Sequence, residues 1–246
     1  MTIMPKQTLT KADKKPHKTR QKTIRCLITG FDAFGTNASN TSQEIVEMLP
    51  SEYKIPRTNT VLQIETAVLP TCCVNSWRMI RKLLGSQYCD VLIMTGMAGT
   101  RFTLNLERFA LNIRDYGRKD NCGHEWNDSP IHKGEVEALQ TDLPLVALRT
   151  ALRKKKFSAS TSYHAGTFIC NEVYYQALRY QAQSQKLGAV LFVHVPTQKN
   201  YVGTMMRANH ADVQSVKSAA KRKEIALAAM SDAVLEIASF CAKNLK

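Results

Sequence analysis

The residues best suited to covalent chemistry fall in one stretch, Ala165-Gly166-Thr167-Phe168-Ile169-Cys170-Asn171-Glu172-Val173-Tyr174-Tyr175. Before it, Ser160 to Tyr163 reads as the end of a short strand. After it, Val173, Tyr174, Ala177, Leu178 and Gln181 recur at helical spacing. Cys170 is therefore expected near the start of a helix, just past a glycine-containing strand-to-helix turn. There a thiol meets unpaired backbone N–H groups and the positive end of the helix dipole, both of which favour the thiolate. A thiolate attacks carbonyl carbon, so the chemistry on offer is acyl transfer, provided a base is at hand.

Two further residues could complete such a centre. His194 is the polar residue of A-V-L-F-V-H-V-P, at the end of an apolar strand, where a base for a neighbouring thiol could sit. Glu107 lies in L-N-L-E-R-F-A-L-N, an otherwise apolar stretch in which a buried carboxylate needs a partner. A Cys–His pair generally needs a third group to hold the imidazole in the right tautomer. Each residue also has a plain structural reading. Free cysteines are usually small buried hydrophobes, a strand-end histidine is commonly a satisfied core residue, and Glu107 could pair with Arg108. Spacing alone does not bring the three together.

The elements that must position them alternate along the chain. Ile24 to Thr29, Thr60 to Leu69, Val91 to Met94 and Ala189 to Val195 read as strands. The run Val91 to Met94 is apolar throughout, as in a strand buried on both faces of a parallel sheet. Helices are expected over Glu44 to Leu49, Val74 to Leu84, Leu143 to Leu152, the segment after Cys170 as far as Gly188, and a last helix with Leu227, Met230, Val234, Ile237 and Cys241 on one face. Phe102 to Ile113 fits strand or helix equally. Residues 115–134 and 197–213 read as long polar loops. The pattern implies an α/β fold: a single-domain, three-layer α/β/α sandwich with a mostly parallel twisted sheet, of the phosphorylase or hydrolase kind. Functional residues should gather at the C-terminal edges of its strands.

Composition narrows the function classes. The chain has 246 residues, 44% hydrophobic and 22% charged, as ordinary globular proteins do. No apolar run approaches the roughly 18 residues that span a bilayer, and the N-terminus lacks the apolar core of a secretory signal. A cytoplasmic address is expected. Seven cysteines without C-x-x-C spacing indicate neither a disulfide framework nor a zinc site. Half of the +14 net charge sits in residues 1–25, which hold eight Lys/Arg against Asp13. Residues 1–23 read as a basic, disordered arm, and residues 24–246 as the catalytic domain. The remaining basic clusters, such as Lys154-Lys155-Lys156, lack interleaved aromatics and read as solvated helix faces rather than a nucleic-acid surface.

Four separated motifs carry a family resemblance: I-T-G-F-D-A-F-G followed by N-T-S, then G-M-A-G-T-R with L-E-R-F-A-L-N, then A-G-T-F-I-C-N-E-V-Y-Y, and F-V-H-V-P. In order and spacing the chain resembles the pyroglutamyl peptidase I family, cysteine peptidases that remove N-terminal pyroglutamate, over about residues 24–200. The resemblance implies Cys170 as nucleophile, His194 as base and Glu107 as its orienting acid. It also implies that Phe31, Phe34 and Phe168 line an apolar slot for the lactam ring, that Asn40 supports the pocket loop, and that the Met97 backbone contacts the ring. Met97 stands where bacterial members often have Gln, and Ala33 where Pro is usual. An arginine that helps the site in some members falls opposite Gly117, with Arg101, Arg114 and Arg118 as the nearby alternatives. No metal and no cofactor is implied. The expected partners are peptides with N-terminal pyroglutamate, with a homo-oligomer allowed and neither a membrane nor a specific nucleic acid expected. Two other readings compete: a nucleoside phosphorylase-like enzyme with phosphate in the Gly-rich loops, which would not need Cys170, and a nucleic-acid-binding protein using the basic surface.

Overall fold

The computed structural model describes residues 21–245. The basic arm expected over residues 1–23 lies, up to residue 20, outside the described residues. Its last two residues belong instead to the first strand, β1 (Lys22–Phe31). The elements that follow are α1 (Thr41–Met48), β2 (Glu52–Lys54), β3 (Thr60–Leu69), α2 (Asn75–Leu84), β4 (Cys89–Met97), β5 (Leu104–Leu111), β6 (Ala138–Gln140), α3 (Leu145–Lys154), β7 (Ala159–His164), α4 (Ile169–Ser184), β8 (Leu187–Val195), α5 (Gln198–Arg207), α6 (Ala211–Gln214) and α7 (Ala219–Lys243).

The eight described strands form one open sheet in the order β2-β3-β1-β4-β8-β5-β6, with β7 also paired to β5. Pairings of β1 with β3 and β4, of β4 with β8 and of β5 with β7 are parallel. Those of β2 with β3, and of β5 with β6 and β8, are antiparallel. The sheet is thus mixed and mostly parallel at its centre, as the alternation of strands and helices implies. Along β1 the strand period sorts the core: Ile24, Cys26 and Ile28 pack with α1, α3, α5 and α7, while Leu27 and Phe31 pack with α2 and α4. Helices on both faces explain why β1, β4 and β8 are apolar almost without interruption.

Close packing of α1 on β1 needs a glycine. A Cβ on Gly30 would lie 2.2 Å from the Ser42 carbonyl oxygen, so any side chain there would push the helix off the strand. Asn40 caps the same helix, its side chain accepting from the Ser42 N–H.

Four expectations change. The ambiguous segment Phe102 to Ile113 is a strand, β5, whose first four residues are all buried, so no alternation marks it. Residues 197–213 are not a polar loop: they hold α5 and α6, which bury Tyr201, Met205 and Val213 and pack Val202 and Met206 partly against the core. Thr197 starts α5 by accepting from the Asn200 N–H, a cap signal legible beforehand. Helix α7 is long and apolar enough to cross a bilayer by length and composition, contrary to the expectation of no such run. Its most apolar window is 61% buried inside the fold, where it packs on α1, α3 and α5.

The fourth correction concerns the cysteines: Cys72 and Cys122 form a disulfide across a sequence separation of 50. The bond ties the end of β3 to the 115–134 loop. Cys72, Asp120 and His124 also bring donor atoms within 4.8 Å of one another, but the Cys72 sulfur is committed to the disulfide. Sequence spacing could not reveal the pair, because it is the sheet that brings the two segments together.

Candidate active site

Cys170 is the second residue of α4, half-buried, after a turn in which Phe168 occupies the cap position without a side-chain cap bond. The first N–H groups of a helix have no partner within it, so the thiol sits beside ready donors. Its two neighbours pin this first turn. Asn171 accepts from the Leu111 N–H at 2.8 Å and donates to the Leu111 and Ile113 carbonyls. Glu172 accepts from the Arg114 guanidinium at 2.6 and 2.8 Å and from the Tyr116 hydroxyl. One turn on, the buried Tyr174 hydroxyl donates to the Glu107 carbonyl at 3.0 Å. The Cys170 helix is therefore bolted to the strand that carries Glu107.

His194 is the penultimate residue of β8, opposite Gly96 on one side and Asn105 on the other. Gly96 has a steric task. A Cβ there would lie 2.9 Å from both Cys170 Sγ and the Phe192 ring, so only glycine lets the thiol rest over β4 next to His194. His194 Nδ1 lies 2.8 Å from Glu107 Oε1, and the Glu107 side chain is fully buried. A carboxylate only accepts, which assigns the Nδ1 proton to this bond and leaves Nε2 for the thiol. The Cys170 thiol lies close enough to the same imidazole to bias its protonation. Burial pushes the His194 pKa down, but the hydrogen bonds and charges of Cys170 and Glu107 outweigh it and raise the pKa to about 9. The imidazolium is thereby favoured at neutral pH.

Cys170 lines a cavity of about 160 Å³. Phe31, Phe34, Asn40, Met97 and Phe168 all line it, so the residues suggested by resemblance converge. The Phe34 and Phe168 rings lie 5.0 Å apart, and Tyr116 meets Phe168 edge-on at 4.7 Å. Asn40 accepts from the Ser42 N–H and hydroxyl and donates to the Asp32 carbonyl at 2.8 Å, bracing the pocket loop. The Ser42 hydroxyl accepts from the Phe31 N–H. Asp32 in turn accepts from the Thr71 N–H and hydroxyl at 2.8 and 2.7 Å. Asn121 donates to the Ala33 carbonyl at 3.0 Å, giving the loop a tether where proline is usual in the family.

Of the three arginines left open, Arg114 is engaged with Glu172, the Arg118 guanidinium lies 5.8 Å from the Phe34 ring, and Arg101 is exposed. Sequence reasoning missed Thr71 and Thr197, which also line the cavity. Each directly follows a strand-ending proline, Pro70 and Pro196, and that signal at a strand's C-terminal edge could have found them.

A thiol on a cavity wall, beside an imidazole hydrogen-bonded to a buried carboxylate, supplies the parts of a cysteine-type hydrolase. Comparison with known proteins narrows the class. A family profile described as pyroglutamyl peptidase matches residues 24–232. Pyrrolidone-carboxylate peptidases of Alkaliphilus oremlandii and Thermococcus onnurineus are each 34% identical over 173 residues. The match covers 70% of this chain and 78% and 84% of theirs. The crystal structure of pyrrolidone carboxyl peptidase from Fervidobacterium islandicum superposes with a TM-score of 0.74 at 29% identity, covering 91% of this chain and all of that one. Pyroglutamyl peptidase I from Bacillus amyloliquefaciens superposes at 0.72 with 26% identity, covering 89% and 95%. The chain belongs to the pyroglutamyl peptidase family.

Proposed function

We propose that this chain hydrolyses the bond following an N-terminal pyroglutamate, with residues 24–245 acting as one catalytic domain. The observation that carries the reading is the Glu107–His194 pair beside Cys170 on the wall of a cavity of about 160 Å³ lined by Phe31, Phe34 and Phe168, sized for a small ring rather than a side chain with its backbone. Cys170 attacks the carbonyl carbon joining the ring to the next residue, giving a tetrahedral oxyanion. Backbone N–H groups at the start of α4 are the natural donors to that charge. The His194 imidazolium gives its proton to the departing amine, the C–N bond breaks, and a thioester remains. His194 then takes a proton from water, the hydroxide attacks the thioester, and pyroglutamate leaves as the thiol re-forms. Glu107 holds the imidazole through Nδ1 throughout.

Recognition rests on the lactam. Phe31, Phe34 and Phe168 surround the ring, and backbone groups of the Phe31–Phe34 loop and near Met97 pair with its carbonyl and N–H. An N-terminal proline would bring a charged amine into the same slot and leave those groups unpaired. Sites of that kind discriminate by about 10⁴ or more. A phosphorylase-like reaction would leave Cys170 without a role. A catalytic thiol is kept reduced in the cytoplasm, which is our reading of the address; the Cys72–Cys122 disulfide is the feature that pulls the other way.

The test is release of a fluorogenic amine from its pyroglutamyl amide but not from its prolyl amide. Cys170→Ser and His194→Ala should each abolish turnover while leaving the circular dichroism spectrum and thermal transition in place. Near-wild-type activity in either variant would refute the assignment.

A further inference from the structure

The ring cavity does not end at Cys170. A second cleft of about 210 Å³ continues from it, sharing Asn37, Met97 and Thr197 as common walls. Its outer lining is charged: Lys199 from α5, Lys223 from α7, and Glu44 from α1. Neither lysine has an ion-pair or hydrogen-bond partner among the described residues. Glu44, the one acid lining the cleft, accepts a hydrogen bond from Gln198 Nε2. The first turns of α1 and α5 also face this cleft through Thr41 and Gln198, adding the positive ends of two helix dipoles to the two ammonium groups.

The direction of the reaction says what would lie there. The proton for the departing amine comes from His194, so the leaving peptide must lie on the His194 side of the thiol. Three residues on from His194, Thr197 lines both clefts, and Gln198 and Lys199 after it line the second. Resting on the pyroglutamyl peptidase reading, we infer that this second cleft receives the residues just after pyroglutamate and favours a carboxylate there. That carboxylate is either an Asp or Glu side chain at the first or second following position, or the chain terminus of a pyroglutamyl dipeptide. Lys199 and Lys223 are the specificity-determining residues.

The experiment compares kcat/KM for pyroglutamyl-Glu-amide, pyroglutamyl-Gln-amide and pyroglutamyl-Lys-amide, and for pyroglutamyl-Ala with a free or an amidated C-terminus. A fluorogenic pyroglutamyl amide serves as the uncharged reference. With two exposed lysines the carboxylate should gain about three- to tenfold over its isosteric amide, mainly in KM. The gain should shrink between 50 and 300 mM salt. Lys199→Gln with Lys223→Gln should erase it while leaving the fluorogenic rate unchanged. A gain in the Glu/Gln pair assigns the carboxylate to the side chain, and one in the free/amidated pair assigns it to the chain terminus. Equal rates across both pairs, or a gain that survives the double substitution, overturn the inference while the peptidase reading stands. Failure to cleave any pyroglutamyl substrate, the fluorogenic amide included, overturns that reading and this inference with it.

Discussion

Replacing Gly96 by alanine adds one methyl group and removes no group that exchanges a proton or an electron pair. The new Cβ would stand 2.9 Å from Cys170 Sγ and 2.9 Å from the Phe192 ring, with ordinary contact beginning near 3.4 Å. Something must give by at least about half an ångström. Phe192 is fully buried under Tyr174 and cannot swing away. The sulfur therefore retreats from the imidazole or the strand bulges, and either change spoils the line of attack. A misplacement of about 1 Å at a reacting centre costs about 10²-fold in rate, so Gly96→Ala should lose roughly one to two decades in kcat with a smaller change in KM. Overpacking should cost about 1–3 kcal/mol of stability, or roughly 2–4 °C in Tm for each kcal/mol in a chain of this size. Kinetics on the fluorogenic amide, alkylation of Cys170 by iodoacetamide and a thermal melt read the three effects separately. A variant with kcat within twofold of wild type and an unchanged alkylation profile would refute the argument that this glycine seats the thiol.

Glu107→Gln should lower kcat/KM by roughly one to four decades, the range spanned by loss of a triad acid. It should also shift the alkaline limb of the pH profile, set by His194 near 9, toward lower pH; a limb that stays in place would contradict the assigned partner. Because the folded pKa of His194 is raised above its ordinary 6.5, the stability it contributes is full below pH 6.5 and is lost as pH rises through about 9, which denaturant titrations of wild type and His194→Ala across that window would read. Cys122→Ser removes the staple between the end of β3 and the loop that carries Asn121. It should cost about 2–4 kcal/mol in urea unfolding and raise KM more than it lowers kcat, since Thr71 and Asn121 brace the pocket loop rather than the thiol. Phe34→Ala should raise KM for pyroglutamyl substrates while leaving the Cys170 alkylation rate within twofold, because the ring packs on Phe168 and not on the catalytic line.

The sequence by itself determined the parts that depend on neighbours along the chain. The turn through Gly166 into an amphipathic helix marked Cys170, an apolar run closed by proline marked His194, and a lone acid in an apolar stretch marked Glu107. Local periodicity and capping are short-range effects, so they are written within ten or so residues, and the strand and helix order of an α/β sandwich follows from them. It was the tertiary structure that decided that β4, β8 and β5 lie side by side, with His194 between Gly96 and Asn105. That neighbourhood brings Glu107 and His194, 87 residues apart, to hydrogen-bond distance. Pairing order and register arise from packing two helical layers on one sheet, and no local pattern encodes them. For the same reason the Cys72–Cys122 bond went unread, the three-residue edge strands β2 and β6 left no alternation to see, and α5 hid among polar residues with Tyr201 and Met205 alone buried. The pocket shows the division most plainly. Family motifs named Phe31, Phe34, Asn40, Met97 and Phe168, but the fold alone added Thr71 and Thr197, because a cavity wall is assembled from strand ends that are distant in sequence.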